Sequence, residues 1–447
     1  MAKIQPFTAW RYNLAKVGDP GDLLAPPYDR IDPFLAEQLT DRHEYNVVRL
    51  MPGRIALNEQ NSEETASNLG ATAARWRQEA VVIPDREPGL YFYRQGWLDR
   101  EGRHRLSKGF FALLHLETER ERVVLHHEAD WMSPRVNRQP LLAATRLHPA
   151  PILILFADPE REVMSWLTGA AGQTNPCLDT ECRDGSTHTL YRLTDRDLID
   201  RVARTLAEQK VLLADGHDRY RTAQAYAAAN PRNPAAQSIL ACFMPIEEDG
   251  LDLQPIHRAI TGLATLRPDD LLFEMSKIFY LRELEKKASP AERIECALRE
   301  LAAAGAAGKT AFIMGIAGAA ELLLLEVKND AAQLILPEGL AEPIRDLDIA
   351  LLHRLVLEGP LGLDPRRREL GSLLFFENPY DLPSLLESGK AQIAFLLNSL
   401  EVPQLEAVAQ ANLKLPHKAV RFFPDIPAGV VFQNIDPTAG GIDGSAR

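Results

Sequence analysis

A short apolar run ends in an acid and a glycine at residues 211–216, and helical spacing begins almost at once after it. Val211 to Ala214 reads as the end of a buried strand. Asp215-Gly216 breaks that strand, because glycine accepts backbone angles that other residues do not. Ala223, Ala225, Tyr226 and Ala227 then recur at helical spacing, so a helix starts within a few residues of the turn. The unit is strand, tight polar turn, helix. A helix N-terminus presents unsatisfied N–H groups and a partial positive charge, which together suit an anion such as phosphate. The turn adds Asp215, His217 and Arg219 at alternating positions, three chemically different groups beside one helix end. That density points to a site, against the plainer reading of an N-cap with surface charges.

The rest of the composition bounds what such a site can serve. The chain has 447 residues, 46% hydrophobic and 25% charged, ordinary for a soluble globular protein of two or three domains. A net charge of -12 argues against a broad nucleic-acid footprint, though a local basic pocket for a small anion is compatible with it. No uninterrupted apolar span of membrane length is present, and residues 1–6 lack a signal-type apolar segment. Cys177, Cys182, Cys242 and Cys296 are too few for a disulfide framework and complete no zinc pattern, so free thiols are expected. These features lead us to expect a cytoplasmic protein acting on a small molecule, with no nucleic-acid or membrane partner.

In chain order, Ala25-Pro26-Pro27-Tyr28-Asp29 is stiffened by consecutive prolines, and Asp32-Pro33 starts a helix. Asn46 to Leu50 is expected as a strand and Glu63 to Glu79 as a helix. Leu90 to Tyr93 and Gly109 to Leu116 flank Asp99-Arg100-Glu101-Gly102 as a hairpin. His126-His127-Glu128 follows a strand-like run; since adjacent strand residues face opposite ways, at most one His and the Glu converge, and a polar site is favoured over a metal. Arg138 lies in a helical stretch, Pro151 to Phe156 is a buried strand, and residues 173–189 read as a polar loop. Asp195 to Glu208 is a helix leading into the turn, Ile239 to Met244 a strand, and His257-Arg258 a pair that reads as a surface feature in isolation. After residue 266 an Ala-rich helix (Pro290 to Ala307), strands at Ala311 to Gly315, Leu322 to Val327 and Ala391 to Leu397, and helices at Asp348 to Glu358 and Val402 to Ala411 suggest a second α/β unit. A Pro-stiffened, basic tail around Lys418 precedes a last strand. The expected class is mixed α/β, with domains at 1–265 and 266–436 and a disordered tail at 437–447.

With these segments in hand, the chain resembles the bacterial and archaeal family catalogued as domain of unknown function 1015. The matching segments are Pro-Pro-Tyr-Asp at 26–29, His127-Glu128, and the turn from Asp215 to Ala223. His257-Arg258, the Leu-Asp pattern at 347–353, and Pro416-x-Lys418 with its following Phe-x-Pro complete the set. The family turn has His where this chain has Asp218 and Glu where it has Arg221; Ala419, Val420, Arg421 and Asp425 depart from the family tail. The turn alone is also similar to the superfamily that contains ParB-type nucleotide hydrolases, sulfiredoxin and a free-serine kinase. That second resemblance implies a ParB/sulfiredoxin-like nucleotide-binding core.

Phosphoryl transfer needs donors around the phosphates, a carboxylate for magnesium and a base for the acceptor hydroxyl. The expected assignments follow from that chemistry and from the resemblance. Asp215, Gly216, Arg219, Tyr220, Arg138, His257, Arg258 and Lys418 would hold a nucleotide (ATP or ADP). Asp29, Glu128 and His217 would be catalytic, with Glu128 or Asp29 as the base; Tyr28, Asn46 and His127 would meet substrate, and Asp215 or Asp29 would bind Mg2+. The competing reading is a non-catalytic nucleotide or metabolite sensor that uses the same pocket.

Overall fold

The computed structural model describes residues 1–51, 62–99, 101–117, 121–128, 138–263, 267–319, 321–328, 342–363 and 371–437. The chain packs into two compact units. The first takes Met1–His126, Val136–Asp252 and Pro424 onward, and the second takes His127–Arg135 and Leu253–Phe423. The boundary therefore falls at 252/253, not near 265. Residues 424–436, placed in the C-terminal domain on sequence grounds, pack with the first unit. Of the tail expected to be disordered at 437–447, residues 438–447 lie outside the described residues.

The first unit is built on a nine-stranded mixed sheet. Its path runs Val124–His126, Val211–Asp215, Ile152–Phe156, Ser238–Pro245, His104–His115, Leu90–Leu98, Thr187–Leu193 and Leu178–Glu181, with Ile4–Gln5 against His104–His115. Every residue of Ile152–Phe156 and Ser238–Pro245 is buried, as expected of central strands covered on both faces. The strand Val211–Asp215 runs parallel to Val124–His126 on one side and antiparallel to Ile152–Phe156 on the other. That placement sets the turn after Asp215 at the end of an interior strand.

Helices Glu162–Ala171 and Arg196–Ala207 close the core with Val163, Leu167, Val202 and Leu206, and the helix after the turn contributes Tyr220 and Ala223. The hairpin expected around Asp99 to Gly102 is present, Leu98 pairing with His104. A second core gathers Tyr12, Leu23, Val47, Trp76, Leu147, Ala428 and Phe432. The bridge between Ala25 and Ala428 fastens the proline-stiffened segment onto the C-terminal residues of this unit.

Two local expectations are corrected here. Val47–Leu50 is a 3-10 turn and not a strand, because the Asn46 side chain accepts from the Val48 N–H at 2.9 Å and closes the backbone on itself. The expected loop at 173–189 contains the strand Leu178–Glu181. Only Leu178 in it is buried, so this edge strand lacks the apolar alternation that would announce it.

The second unit carries a six-stranded sheet in the order Phe279–Glu283, Leu323–Val327, Ala311–Ile316, Ile393–Leu396, His257–Ile260, Leu373–Phe376, all pairs antiparallel. Helix Pro290–Ala306 begins with a complete capping box between Ser289 and Glu292 and packs Ile294, Ala297 and Leu301 onto the sheet. Among the described residues all four cysteines are free thiols, and no helix is long and apolar enough to cross a membrane.

The helix expected over Asp348 to Glu358 is regular only at Asp348–Leu351 and widens into a π-helix at Leu352–Leu357. At its start Asp348 accepts from Asn398 Nδ2 at 3.0 Å, and burial pushes its carboxyl up to about 6. An acid whose folded value is raised binds its proton more tightly in the native state. Stability should therefore fall as pH rises from about 4 through 6, by at most about 3 kcal/mol. Asp348→Asn should flatten that segment of a urea-melt pH series. An unchanged slope would mean Asp348 is not its source.

Candidate functional site

The turn is shaped by Gly216, which has φ 92° and caps the helix His217–Ala229. An added Cβ would lie 2.7 Å from Ile152 Cγ2 and 3.0 Å from Arg219 Nε and Nη2, so glycine is required both by conformation and by space. Gly216 has no side chain to cap this helix, whose start at His217 presents the positive end of the helix dipole.

Arg219 lies across the turn with its side chain 13% exposed. Its Nη2 donates to Asp215 Oδ2 at 2.7 Å, while Nε and Nη1 are buried and meet no acceptor among the described residues. Almost half of the Asp215 side chain is accessible, yet burial of its carboxyl together with the charges of Asp29 and Asp425 pushes its pKa up, against Arg219 and Arg30. Asp29 thus acts on the turn electrostatically, as a second carboxylate near Asp215.

Tyr28 carries two guanidinium groups at its ring, Arg138 at 3.7 Å and Arg219 at 5.9 Å from the centroid. Its hydroxyl donates to Asp218 Oδ2 at 3.2 Å. Burial, the largest cause, and the carboxylates of Asp218 and Asp29 push that phenol up, so it remains a donor. Around the same turn, the His126 ring stands 5.7 Å from His217 and 5.5 Å from Tyr220. His148 is buried, and burial with the charge of Arg219 pulls its pKa down to about 4, which makes it neutral near pH 7.

Several expected site residues have other work in this structure. Asn46 has no exposed surface, and its amide donates to the carbonyls of Asp22 and Leu24 while accepting from Val48 N–H. It fixes a loop and leaves no face for a substrate. Tyr220 is 1% exposed and belongs to the core, so it is not a phosphate ligand. His127 is 1% exposed with its ring 5.9 Å from Phe422; the imidazole set beside the turn is His126, which the sequence reading passed over.

The remaining predicted residues lie in the second unit, where His257 and Arg258 are fully buried and not a surface pair. His257 Nδ1 accepts from Leu397 N–H at 3.3 Å. Arg258 donates to the carbonyls of Ile256, His417 and Lys418 and to His353 Nε2, and its guanidinium lies 4.8 Å from the Phe375 ring. Burial pulls it down to about 9, with Glu128 opposing; a guanidinium holding four acceptors nevertheless stays charged. All of its donor nitrogens are engaged, which excludes it as a phosphate ligand. Lys418 sits at φ 55°, a left-handed conformation held by Arg258 Nη2 on its carbonyl at 2.9 Å. The Glu128 carboxylate pairs with His417, Oε1 to Nδ1 at 2.5 Å, a partner that sequence reasoning missed.

The family model described as "Protein of unknown function (DUF1015)" matches residues 4–350. The chain belongs to that family. Among curated proteins none matches. Similar solved structures include a conserved hypothetical protein from Pyrococcus furiosus, 11% identical over 71% of this chain and 93% of that one, with a TM-score of 0.35. A free serine kinase in complex with AMP is 13% identical over 71% of this chain and 89% of that one, at 0.34. SbnI with a C-terminal truncation from Staphylococcus aureus is 10% identical over 70% and 82%, at 0.33.

This member's departures from the family turn have a structural account. Asp218 is turned outward, its side chain 55% exposed, with Tyr28 on one carboxylate oxygen and Arg221 Nη1 3.9 Å from the other. Asp218 and Arg221 thus offset each other on the rim of the turn.

Proposed function

We propose that this chain binds a nucleoside di- or triphosphate, ADP or ATP, through its phosphates at the N-terminus of helix His217–Ala229, and transfers a phosphoryl group to a small hydroxyl compound. The observation that carries the reading is Arg219, two of whose buried donors meet no acceptor among the described residues while the third holds Asp215. Burying donors without partners costs about 1–3 kcal/mol each, and an anion bound by Nε and Nη1 at the helix N-terminus would recover it. Arg138 adds a second cation beside Tyr28. His217, first residue of the helix, would sit beside the transferred group, with Asp29 acting on the turn through its charge.

Magnesium takes hard oxygen ligands, keeps several waters and would neutralise charge on the phosphates. Asp215, paired with Arg219, and Asp29, the second carboxylate near it, are the groups whose oxygens could serve it. No group of three or more His, Cys, Asp or Glu among the described residues is assembled to hold a metal by itself.

A sensor remains the competing reading, favoured by Asp218, which adds a carboxylate to the first turn. Thermal melts of the full chain with pyrophosphate, ADP and ATP, with and without magnesium, test the binding. At a hundredfold excess over the dissociation constant the stabilisation should reach about 2.7 kcal/mol, a shift of several degrees. No shift with any of the three would sink the reading. Tight binding without turnover, in both the wild type and Asp218→His, would leave the sensor.

A further inference from the structure

Within the second unit, the helix Pro290–Ala306, the end of the strand Ala311–Ile316 and the helix Leu382–Glu387 enclose a cavity of about 80 Å3. Its apolar wall is made by Ile294, Leu322, Leu382 and Leu386 around Gly315. Ile294 and Leu382 are buried members of the unit's core. A Cβ added at Gly315 would lie 2.9 Å from Leu386 Cδ1 and 3.1 Å from Leu322 Cδ2. Glycine inside a strand costs stability, and here it leaves room for the leucines that wall the cavity.

The same cavity is lined by three charged side chains, Arg293, Glu321 and Glu387. Glu321 is paired with Lys286. Glu387 is exposed and makes no ion pair among the described residues. Arg293 is the fourth residue of its helix and Glu387 the last of its own. Each charge therefore stands at the helix end whose dipole disfavours it. An anionic group at Arg293 and a cationic one at Glu387 would offset both.

We propose that this cavity binds a free branched-chain amino acid, with its side chain among the leucines, its carboxylate at Arg293 and its ammonium at Glu387. A dry apolar cavity of about 150 Å3 holds the six carbons of benzene, so 80 Å3 suits about three carbons. That is the size of the isopropyl group of valine. A guanidinium presents a planar fork of donors that matches a carboxylate. A fatty acid would leave Glu387 unanswered, and an alkylamine would forgo the guanidinium. Every residue of the site lies in the second unit, and phosphate binding by the first neither supports nor weakens it.

Methyl NMR of the full chain, titrated with valine, should show saturable shifts at Leu322, Leu382 and Leu386. Alanine, smaller by two methylene equivalents, should bind about fifteenfold more weakly, and phenylalanine should not bind. Isobutylamine and isovalerate each keep one of the two charges, and each should lose at least about tenfold against valine. Glu387→Gln, a change to an exposed side chain, should keep the wild-type melting temperature. It should weaken valine about tenfold and leave isovalerate unchanged. Alanine binding as well as valine, or no shift at the three leucines, overturns the proposal. So does a valine affinity in Glu387→Gln within about twofold of wild type.

Discussion

Arg219→Met should abolish stabilisation of the chain by phosphate-bearing ligands while leaving its ligand-free melting temperature unchanged or higher. The two effects have one cause. In the ligand-free chain Arg219 keeps Nε and Nη1 buried without acceptors among the described residues, an arrangement that costs free energy. Methionine fills similar space without those donors, so the ligand-free fold loses a penalty along with the Asp215 ion pair. Asp215 tolerates that loss, because almost half of its side chain reaches water. With an anion present the balance reverses. Two charge-assisted hydrogen bonds of roughly 1.5 kcal/mol each amount to about 3 kcal/mol, or about a hundredfold in affinity. Titration calorimetry with pyrophosphate and ADP gives the affinity, and melts without ligand give the stability. Arg219→Lys should fall between, since a single ammonium cannot hold Asp215 and fork onto a phosphate. A variant that loses several degrees without ligand yet keeps its anion response would show that Arg219 serves the fold alone.

The turn was legible because everything that defines it is local. The apolar run, the Asp-Gly break and the helical spacing occupy adjacent residues, and the backbone follows them: strand to Asp215, φ 92° at Gly216, helix from His217. His126 was within reach as well. Alternation along a strand allows only one of two neighbouring histidines to face a given way, but nothing local said which, and the choice fell on His127, which is buried against Phe422. Arg258 was not legible in the same sense. A His-Arg dipeptide looks like a solvated pair, and only the return of residues 416–418, about 160 positions later, supplies the carbonyls that permit its burial. Asn46 misled for the related reason that its partners, Asp22 and Leu24, are more than twenty residues upstream. Long-range hydrogen bonds decide which polar residues are structural, and no periodicity records them.

That lesson makes Arg258 the most consequential residue of the second unit, and Arg258→Met the substitution expected to cost most stability. Methionine matches much of the side-chain volume, so the loss is not chiefly a cavity. It removes donors from four acceptors at once, the carbonyls of Ile256, His417 and Lys418 and the Nε2 of His353. Replacing a whole buried ionic group by apolar residues can be neutral, but removing one member and stranding its partners typically costs about 3–5 kcal/mol. A further cost of about 1 kcal/mol threatens because Lys418 then has no guanidinium to hold its left-handed backbone. Arg258→Lys should recover only part of this, as three rotatable donors on one nitrogen cannot span four acceptors. Because the chain has two compact units, the measurement is a urea melt that resolves them, combined with amide exchange at 417–423. The second unit's midpoint should drop and exchange at those amides should quicken, with the first unit's transition unmoved. A midpoint displaced by less than about 0.5 kcal/mol would return Arg258 to the pool of candidate phosphate ligands, since a guanidinium that the fold can lose without penalty is one a ligand can recruit.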